Sequence, residues 1–310
     1  MARLALRDHK PSETDAIKVS ICCITFNHAA FVKDALNGFL EQECDFRVEI
    51  VIYDDGSTDG TADIIRDYAA RFPGLFRTIL MEDNQFSKGV NPYFGHVFPA
   101  ARGDFIAICD GDDYWSDPAK LSLQVAALEA DPEVALTFGT VRGVDEAGGE
   151  VAHHGGVRHD LSQADLKAAP PINTLTTCFR NIFRGAPVVP IFVRTSTIGD
   201  LMVWAMLGKY GRARYLAELK PANYRMREAG LLSMRPRDYQ TNLTMVAHMH
   251  LAAHHAEEGD IASFETAIRT MVKYFNKRGK RGMLYFDPPS SWRQRLRLWL
   301  KDANRRMRNR

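Results

Sequence analysis

The feature that most constrains this chain is a stretch of buried-strand sequence that breaks abruptly into carboxylates. Gly103-Asp104-Phe105-Ile106-Ala107-Ile108-Cys109 reads as a buried strand, and Asp110-Gly111-Asp112-Asp113-Tyr114-Trp115 follows it directly. Three carboxylates within four residues repel one another unless positive charge sits among them. The usual charge is a hard divalent cation, which takes oxygen ligands and often a substrate phosphate. A second acidic strand end, Asp54-Asp55-Gly56-Ser57-Thr58-Asp59, lies upstream. Two acidic strand ends point to one site for a metal and a phosphorylated ligand.

The rest of the chain supplies the frame. Apolar, β-rich runs at 19–24, 48–53, 76–81, 104–109 and 134–141 alternate with helical patterns at 27–42, 58–71, 92–101 and 118–130. This alternation predicts an α/β fold with a mostly parallel sheet covered on both faces. In such sheets ligands bind beyond the carboxyl ends of the strands, where both acidic runs fall. From Asp145 to Pro171 the pattern loosens into a loop with His153 and His154. Short strands are expected at 174–179 and 188–193, a helix opened by Thr197 over 197–209, and one or two strands over 212–226. Helices are expected at 236–258, 261–277 and 291–309. The reading is an N-terminal extension (1–17), a sheet domain (18–230) and a helical C-terminal region (231–310).

At 310 residues, 45% apolar and 25% charged, the composition is that of a globular protein. No segment reaches the roughly twenty apolar residues of a membrane helix. The first eighteen residues carry no apolar signal core, so the expectation is a cytoplasmic protein. Cys22, Cys23, Cys44, Cys109 and Cys178 show no C-x-x-C spacing and read as reduced core residues. Charge is unevenly spread. Residues 291–310 carry eight Arg and Lys against Asp302 alone, a surplus of seven, so residues 1–290 are net negative by five.

Each candidate residue has a chemical rationale. A carboxylate of Asp112 or Asp113 can bind Mg²⁺ or Mn²⁺ while its neighbour holds water or a ligand hydroxyl. The bland alternative is an acidic turn capping the next helix, but Asp117 already supplies that cap. Tyr114 and Trp115 either wall the site or pack behind it. Asp54 or Asp55 can accept from a nucleobase N–H or a ribose hydroxyl, with Gly56 permitting close backbone approach. No glycine occurs between Thr25 and Leu36, so the dinucleotide fingerprint is missing. That argues against a nicotinamide or flavin dehydrogenase, and against a nucleotidyltransferase with a Gly-rich triphosphate loop.

Three blocks taken together resemble a family 2 glycosyltransferase of the GT-A fold: Val19-Ser20-Ile21-Cys22-Cys23-Ile24-Thr25-Phe26-Asn27, Tyr53-Asp54-Asp55-Gly56-Ser57-Thr58-Asp59-Gly60-Thr61, and Gly103-Asp104-Phe105-Ile106 leading into Asp110-Gly111-Asp112-Asp113. The resemblance covers residues 18–230 and is nearest the subset with a Gly-Asp-Asp-Tyr-Trp motif, common among bacterial surface-polysaccharide enzymes. It implies an inverting, metal-dependent transferase that takes a nucleotide sugar, expected to be UDP-linked, and passes the sugar to a glycan or lipid-linked hydroxyl. By resemblance, Thr25, Asn27 and Asp55 hold the nucleotide, Asp112 the ribose or sugar, and Asp113 the metal, with Asp112 alongside. The catalytic base falls on Asp200, in Ile198-Gly199-Asp200-Leu201-Met202. An inverting transfer needs such a base opposite the leaving group. A first-turn helix position is expected to keep it ionised.

The chain departs from the family pattern at two points. Ile24 replaces a proline common before the Thr-aromatic-Asn triplet. Tyr224-Arg225-Met226-Arg227 stands where Tyr-Arg-x-His is frequent. Arg227 can meet phosphate but cannot ligate metal, so a third protein ligand is left open, and Arg225 or Arg227 becomes a candidate diphosphate clamp. His248, His250, His254 and His255 read as packed or solvated histidines, since no third zinc ligand accompanies the i, i+4 pair. Trp292, Leu296, Trp299, Ala303 and Met307 form one helical stripe among arginines. That profile predicts peripheral contact with an anionic membrane at the inner face of the plasma membrane. Nucleic-acid binding is not expected. The rival function is a non-catalytic nucleotide-sugar binder that scaffolds a glycan assembly complex.

Overall fold

The computed structural model describes residues 3–9, 15–152, 155–185, 189–196, 198–227 and 235–279. Ten strands carry labels: β1 (Ile17–Thr25), β2 (Arg47–Asp54), β3 (Phe76–Leu80), β4 (Phe105–Ile108), β5 (Val134–Phe138), β6 (Val141–Val144), β7 (Glu150–Val151), β8 (Cys178–Arg180), β9 (Arg212–Tyr215) and β10 (Ala222–Arg225). Six helices matter here: α1 (Val32–Leu40), α2 (Thr61–Arg71), α3 (Lys120–Ala130), α4 (Gly199–Leu207), α5 (Arg237–Glu257) and α6 (Ile261–Gly279).

A seven-stranded sheet runs in the order β9-β5-β8-β4-β1-β2-β3. All neighbours are parallel except β8, which is antiparallel to both β4 and β5. The strand sequences explain the layering. Along β2, Ile50 and Ile52 join one apolar cluster with Val32, Leu36 and Phe39 of α1, whereas Val51 and Tyr53 join another with Phe98 and with Met202 and Trp204 of α4. Alternate residues thus enter cores on opposite faces, as period-two geometry requires. The five cysteines are free thiols, all buried.

Several expectations are corrected. The run 134–141 is not one strand: it ends at Phe138, and Val141–Val144 pairs in a second, small sheet of order β10-β6-β7. The run 188–193 is not a strand in its described part, because Ile191–Arg194 is a helical turn. The Pro190 carbonyl accepts from Val193 and Arg194, and a proline just before a helix presets its first turn. Within the loop 145–171 sits a short helix, Gln163–Lys167, opened by a reciprocal cap between Ser162 and Asp165. The expected opener Thr197, the pair His153/His154 and the basic stripe 291–310 lie outside the described residues.

The C-terminal helices pack on the sheet domain. Leu251 and Ala252 of α5 and Ala267 of α6 belong to the same apolar cluster as Trp204. His255 Nε2 lies 2.9 Å from the Lys167 carbonyl, and Lys167 Nζ donates to Asp260 at 2.8 Å. His248, His254 and His255 are buried in this packing. No helix among the described residues is long and apolar enough to cross a membrane.

Candidate active site

The carboxyl ends of β1, β2 and β4 meet at one edge of the sheet, as the parallel register Thr25–Asp54 and Cys22–Ile108 requires. At the first, Thr25 Oγ1 donates to Asp54 Oδ1 at 2.8 Å, and Ser57 Oγ donates to the same oxygen at 2.6 Å. Ser57 Oγ in turn accepts from the Asn27 N–H at 2.8 Å, and Asn27 Oδ1 accepts from the Thr58 N–H at 2.9 Å. Asn27 sits at φ 53, a left-handed conformation that asparagine tolerates better than most residues. Thr25 and Asn27 therefore clamp the two loops together beside the site.

Asp55 is buried, and its oxygens are already engaged. Oδ1 accepts from Tyr53 Oη (2.8 Å) and the Gln85 N–H (2.7 Å), while Oδ2 accepts from the Phe86 N–H at 3.1 Å. Gly56, at φ +74, passes so near Asp83 that a Cβ would lie 2.8 Å from its carbonyl carbon. The close approach expected of this glycine is thus to the 83–88 loop.

The acidic run closes the site. Gly111 donates to the Ile24 carbonyl at 2.9 Å, which lays the run against the end of β1. Asp113 is buried, and its Oδ1 accepts from the Arg225 N–H at 2.8 Å. Burial, then the neighbouring charge of Asp112, pushes Asp113 well above the carboxylate range. Asp110 is pushed up to about 7 by burial and then by Asp112, with Asp200 adding to the effect. Tyr93 Oη donates to Asp110 and opposes that rise. Asp112, whose side chain is 20% exposed, takes a 2.9 Å hydrogen bond on Oδ2 from Arg227 and has His28 Nε2 at 3.6 Å.

The two arginines have different employments. Arg225 reaches the Asp112 carbonyl (2.9 Å), the Glu146 carbonyl (3.0 Å) and Asp34 Oδ2 (2.7 Å) from a side chain 3% exposed. Its guanidinium is spent on holding the acidic run, β10 and α1 together. The centres of both guanidinium groups stand 4.7 Å from the ring centre of Phe31. Trp115 packs rather than walls the site: it is 2% exposed, donates from Nε1 to the Leu175 carbonyl at 2.7 Å and meets Phe39 edge-on.

Asp200 opens α4. Oδ2 accepts from Thr174 Oγ1 at 3.2 Å and Oδ1 from the Leu201 N–H at 2.9 Å. Burial nevertheless raises it above the usual carboxylate range, so desolvation outweighs the helix terminus that was expected to keep it low. Gly199, just before it, lies against Asn91 and Phe94, where a Cβ would fall 2.5 Å from Asn91 Nδ2, and Tyr93 of that segment donates to Asp110.

These residues fit a hard divalent ion. Among the described residues no group of three metal-ligating side chains comes together. The chain offers the pair Asp112 and Asp113, which is the share protein usually supplies to Mg²⁺ when diphosphate oxygens and water complete the shell. Burial chiefly, and then repulsion from Asp112, raises Asp113, and the repulsion is what such an ion would relieve.

Residues 20–196 match the family model described as glycosyl transferase family 2. The chain belongs to glycosyl transferase family 2. An uncharacterized protein of Mycobacterium tuberculosis is 43% identical over 164 residues, 52% of this chain and 46% of the relative. An uncharacterized glycosyltransferase of Nostoc sp. is 32% identical over 120 residues, 39% of this chain and 35% of the relative. The matched segment spans less than half the length of either curated relative. Among solved structures, S. aureus TarS 1-349 in complex with UDP-GlcNAc is similar at a TM-score of 0.54 and 19% identity, over 76% of this chain and 66% of that one. The mannosyltransferase PcManGT from Pyrobaculum calidifontis in complex with GDP-Man and Mn²⁺ is similar at 0.53 and 18%, over 96% of this chain and 82% of that one. This family 2 chain therefore shares the GT-A arrangement of a mostly parallel sheet under a carboxyl-end site.

Asp54, read from the sequence as a possible nucleotide acceptor, instead anchors Thr25 and Ser57. Sequence reasoning missed three neighbours of the candidate residues: His28 flanks Asp112, Tyr93 holds Asp110, and Thr174 holds Asp200. Only His28 stood beside a recognised block; Tyr93 and Thr174 reach the site through tertiary contacts alone.

Proposed function

We propose that this chain transfers a sugar, with inversion, from a nucleotide-diphosphate donor to a hydroxyl of a glycan or lipid-linked acceptor. The observation that carries the reading is geometric: Asp112 and Asp113 stand at the carboxyl end of the sheet, and Asp200 follows Gly199, where an added Cβ would lie 2.5 Å from Asn91 Nδ2 on the same segment whose Tyr93 holds Asp110. Nucleotide-sugar complexes of the structural neighbours support the donor class. Residues 18–230 are the catalytic region of this reading.

Asp200 takes the proton of the acceptor hydroxyl. Its raised pKa brings it nearer to operating pH, which favours proton transfer at neutrality. Thr25 and Asn27 frame the nucleotide loop, and Asp55 acts through the 83–88 loop that it organises. Asp112 orients ribose or sugar. Asp112 and Asp113 would hold Mg²⁺ or Mn²⁺, which neutralises charge growing on the leaving diphosphate. Arg227 meets the same diphosphate, while Arg225 keeps the acidic run in place. We assign the reaction to surface-polysaccharide synthesis at the cytoplasmic membrane face, with 291–310 resting on anionic lipid.

The test is a panel of UDP- and GDP-sugars, each titrated calorimetrically with Mn²⁺ and then assayed for product with lipid-linked glycan acceptors. Binding with transfer, abolished in Asp200→Asn while binding persists, is the expected result. Tight binding with no transfer to any acceptor would replace the enzyme by the nucleotide-sugar scaffold.

A further inference from the structure

Arg227 sits two residues beyond the end of β10. Its Nη1 is 2.9 Å from Asp112 Oδ2, and the two side chains are 11% and 20% exposed. Its Nε is buried and meets no hydrogen-bond partner among the described residues. Arg225, whose guanidinium also stands 4.7 Å from the Phe31 ring centre, is fixed by the carbonyls of Asp112 and Glu146 and by Asp34. One arginine is thus anchored on three groups, while the other meets, among the described residues, the Asp112 carboxylate and the Phe31 ring.

We propose that Arg227 is an internal competitor of the divalent cation for Asp112. This rests on the reaction proposed above and deepens it. A guanidinium and a dication on one carboxylate repel each other strongly in a poorly solvated site. Binding of the ion therefore requires Arg227 to give up Asp112. The nucleoside diphosphate that arrives with the ion offers Arg227 a replacement anion, to which a planar guanidinium is well matched. Ion and diphosphate then enter together, and the ion alone binds poorly. Arg225 takes no part in the exchange, because releasing it would unfasten the acidic run.

The experiment titrates the full chain with Mn²⁺, following free ion by electron paramagnetic resonance, first alone and then with UDP or, separately, GDP. Wild type is compared with Arg227→Gln and with Arg227→Met, which keeps an unbranched side chain without the charge. Both variants are expected to bind Mn²⁺ alone at least about fivefold more tightly than wild type, and to bind Mn²⁺ with diphosphate more weakly. Variants that bind Mn²⁺ alone no more tightly, while wild type still binds it with a nucleotide, overturn the competition and leave the proposed reaction standing. If wild type binds no Mn²⁺ with either nucleotide, the metal-assisted reading falls, and the competition with it.

Discussion

The backbone N–H of Arg225 donates to Asp113 Oδ1 at 2.8 Å, so the last strand of the small sheet is fastened to the acidic run at the site itself. The Arg225 guanidinium adds a bond to the Asp112 carbonyl and an ion pair with Asp34. A residue 112 positions away in sequence therefore sets where the two carboxylates stand.

Arg225→Met should lower stability by about 3 kcal/mol, since it removes a buried guanidinium's bonds to the Asp112 and Glu146 carbonyls and its ion pair with Asp34. Thermal unfolding followed by circular dichroism measures this. An unchanged midpoint would mean that the acidic run is held from elsewhere.

Gly111→Ala tests how closely the acidic run lies on β1. An added Cβ would fall 2.4 Å from Thr25 Cγ2 and 3.2 Å from His28 Nδ1. Thr25 cannot turn aside without losing its bond to Asp54. The expected cost is about 2 kcal/mol together with weakened donor binding, read by calorimetry.

Thr174→Val removes a hydrogen bond that favours ionised Asp200. The pKa of Asp200, the proposed base, then rises further. A base works only when deprotonated, so the acid limb of the kcat profile should move to higher pH, and Thr174→Ser should move it back. A profile identical to wild type would separate Thr174 from the base.

Much of this was readable in the chain. The alternation of apolar runs with helical spacing gave the parallel sheet, and the strand ends that carry the carboxylates do adjoin at one edge of it. What could not be read depends on partners far along the chain. Cys178–Arg180 enters between β4 and β5 in the antiparallel sense, which a three-residue strand cannot announce. The run 134–141 has one apolar character but serves two sheets. The short apolar stretch before Arg194 looked like strand because periodicity does not separate strand from helix at that length. Asp55 looked like a free acceptor, and only the fold shows its oxygens turned to Tyr53, Gln85 and Phe86. Arg225 looked like a clamp for phosphate and proves to hold protein carbonyls.

The C-terminal helices should give the protein an acid-sensitive dock. His254 is lowered to about 4, chiefly by burial and then by His255 and Lys209, with Glu258 and Asp260 opposing. Its folded pKa lies below the ordinary value of about 6.5, so the unfolded chain binds the proton more tightly. The stability from His254 is complete above that value and drains away as pH falls toward 4. His254→Gln should flatten the loss of melting temperature between pH 7 and pH 5. An equally steep loss in the variant would assign the acid sensitivity to other groups.

The measurement closest to the centre of the account is donor binding by wild type and Asp113→Ala, with Mn²⁺ and with chelator, using the sugar nucleotide that supports turnover. If the acidic run holds an ion and its diphosphate, wild type binds donor only with the metal, and Asp113→Ala fails with or without it. Equal donor affinity in all four combinations would contradict that claim.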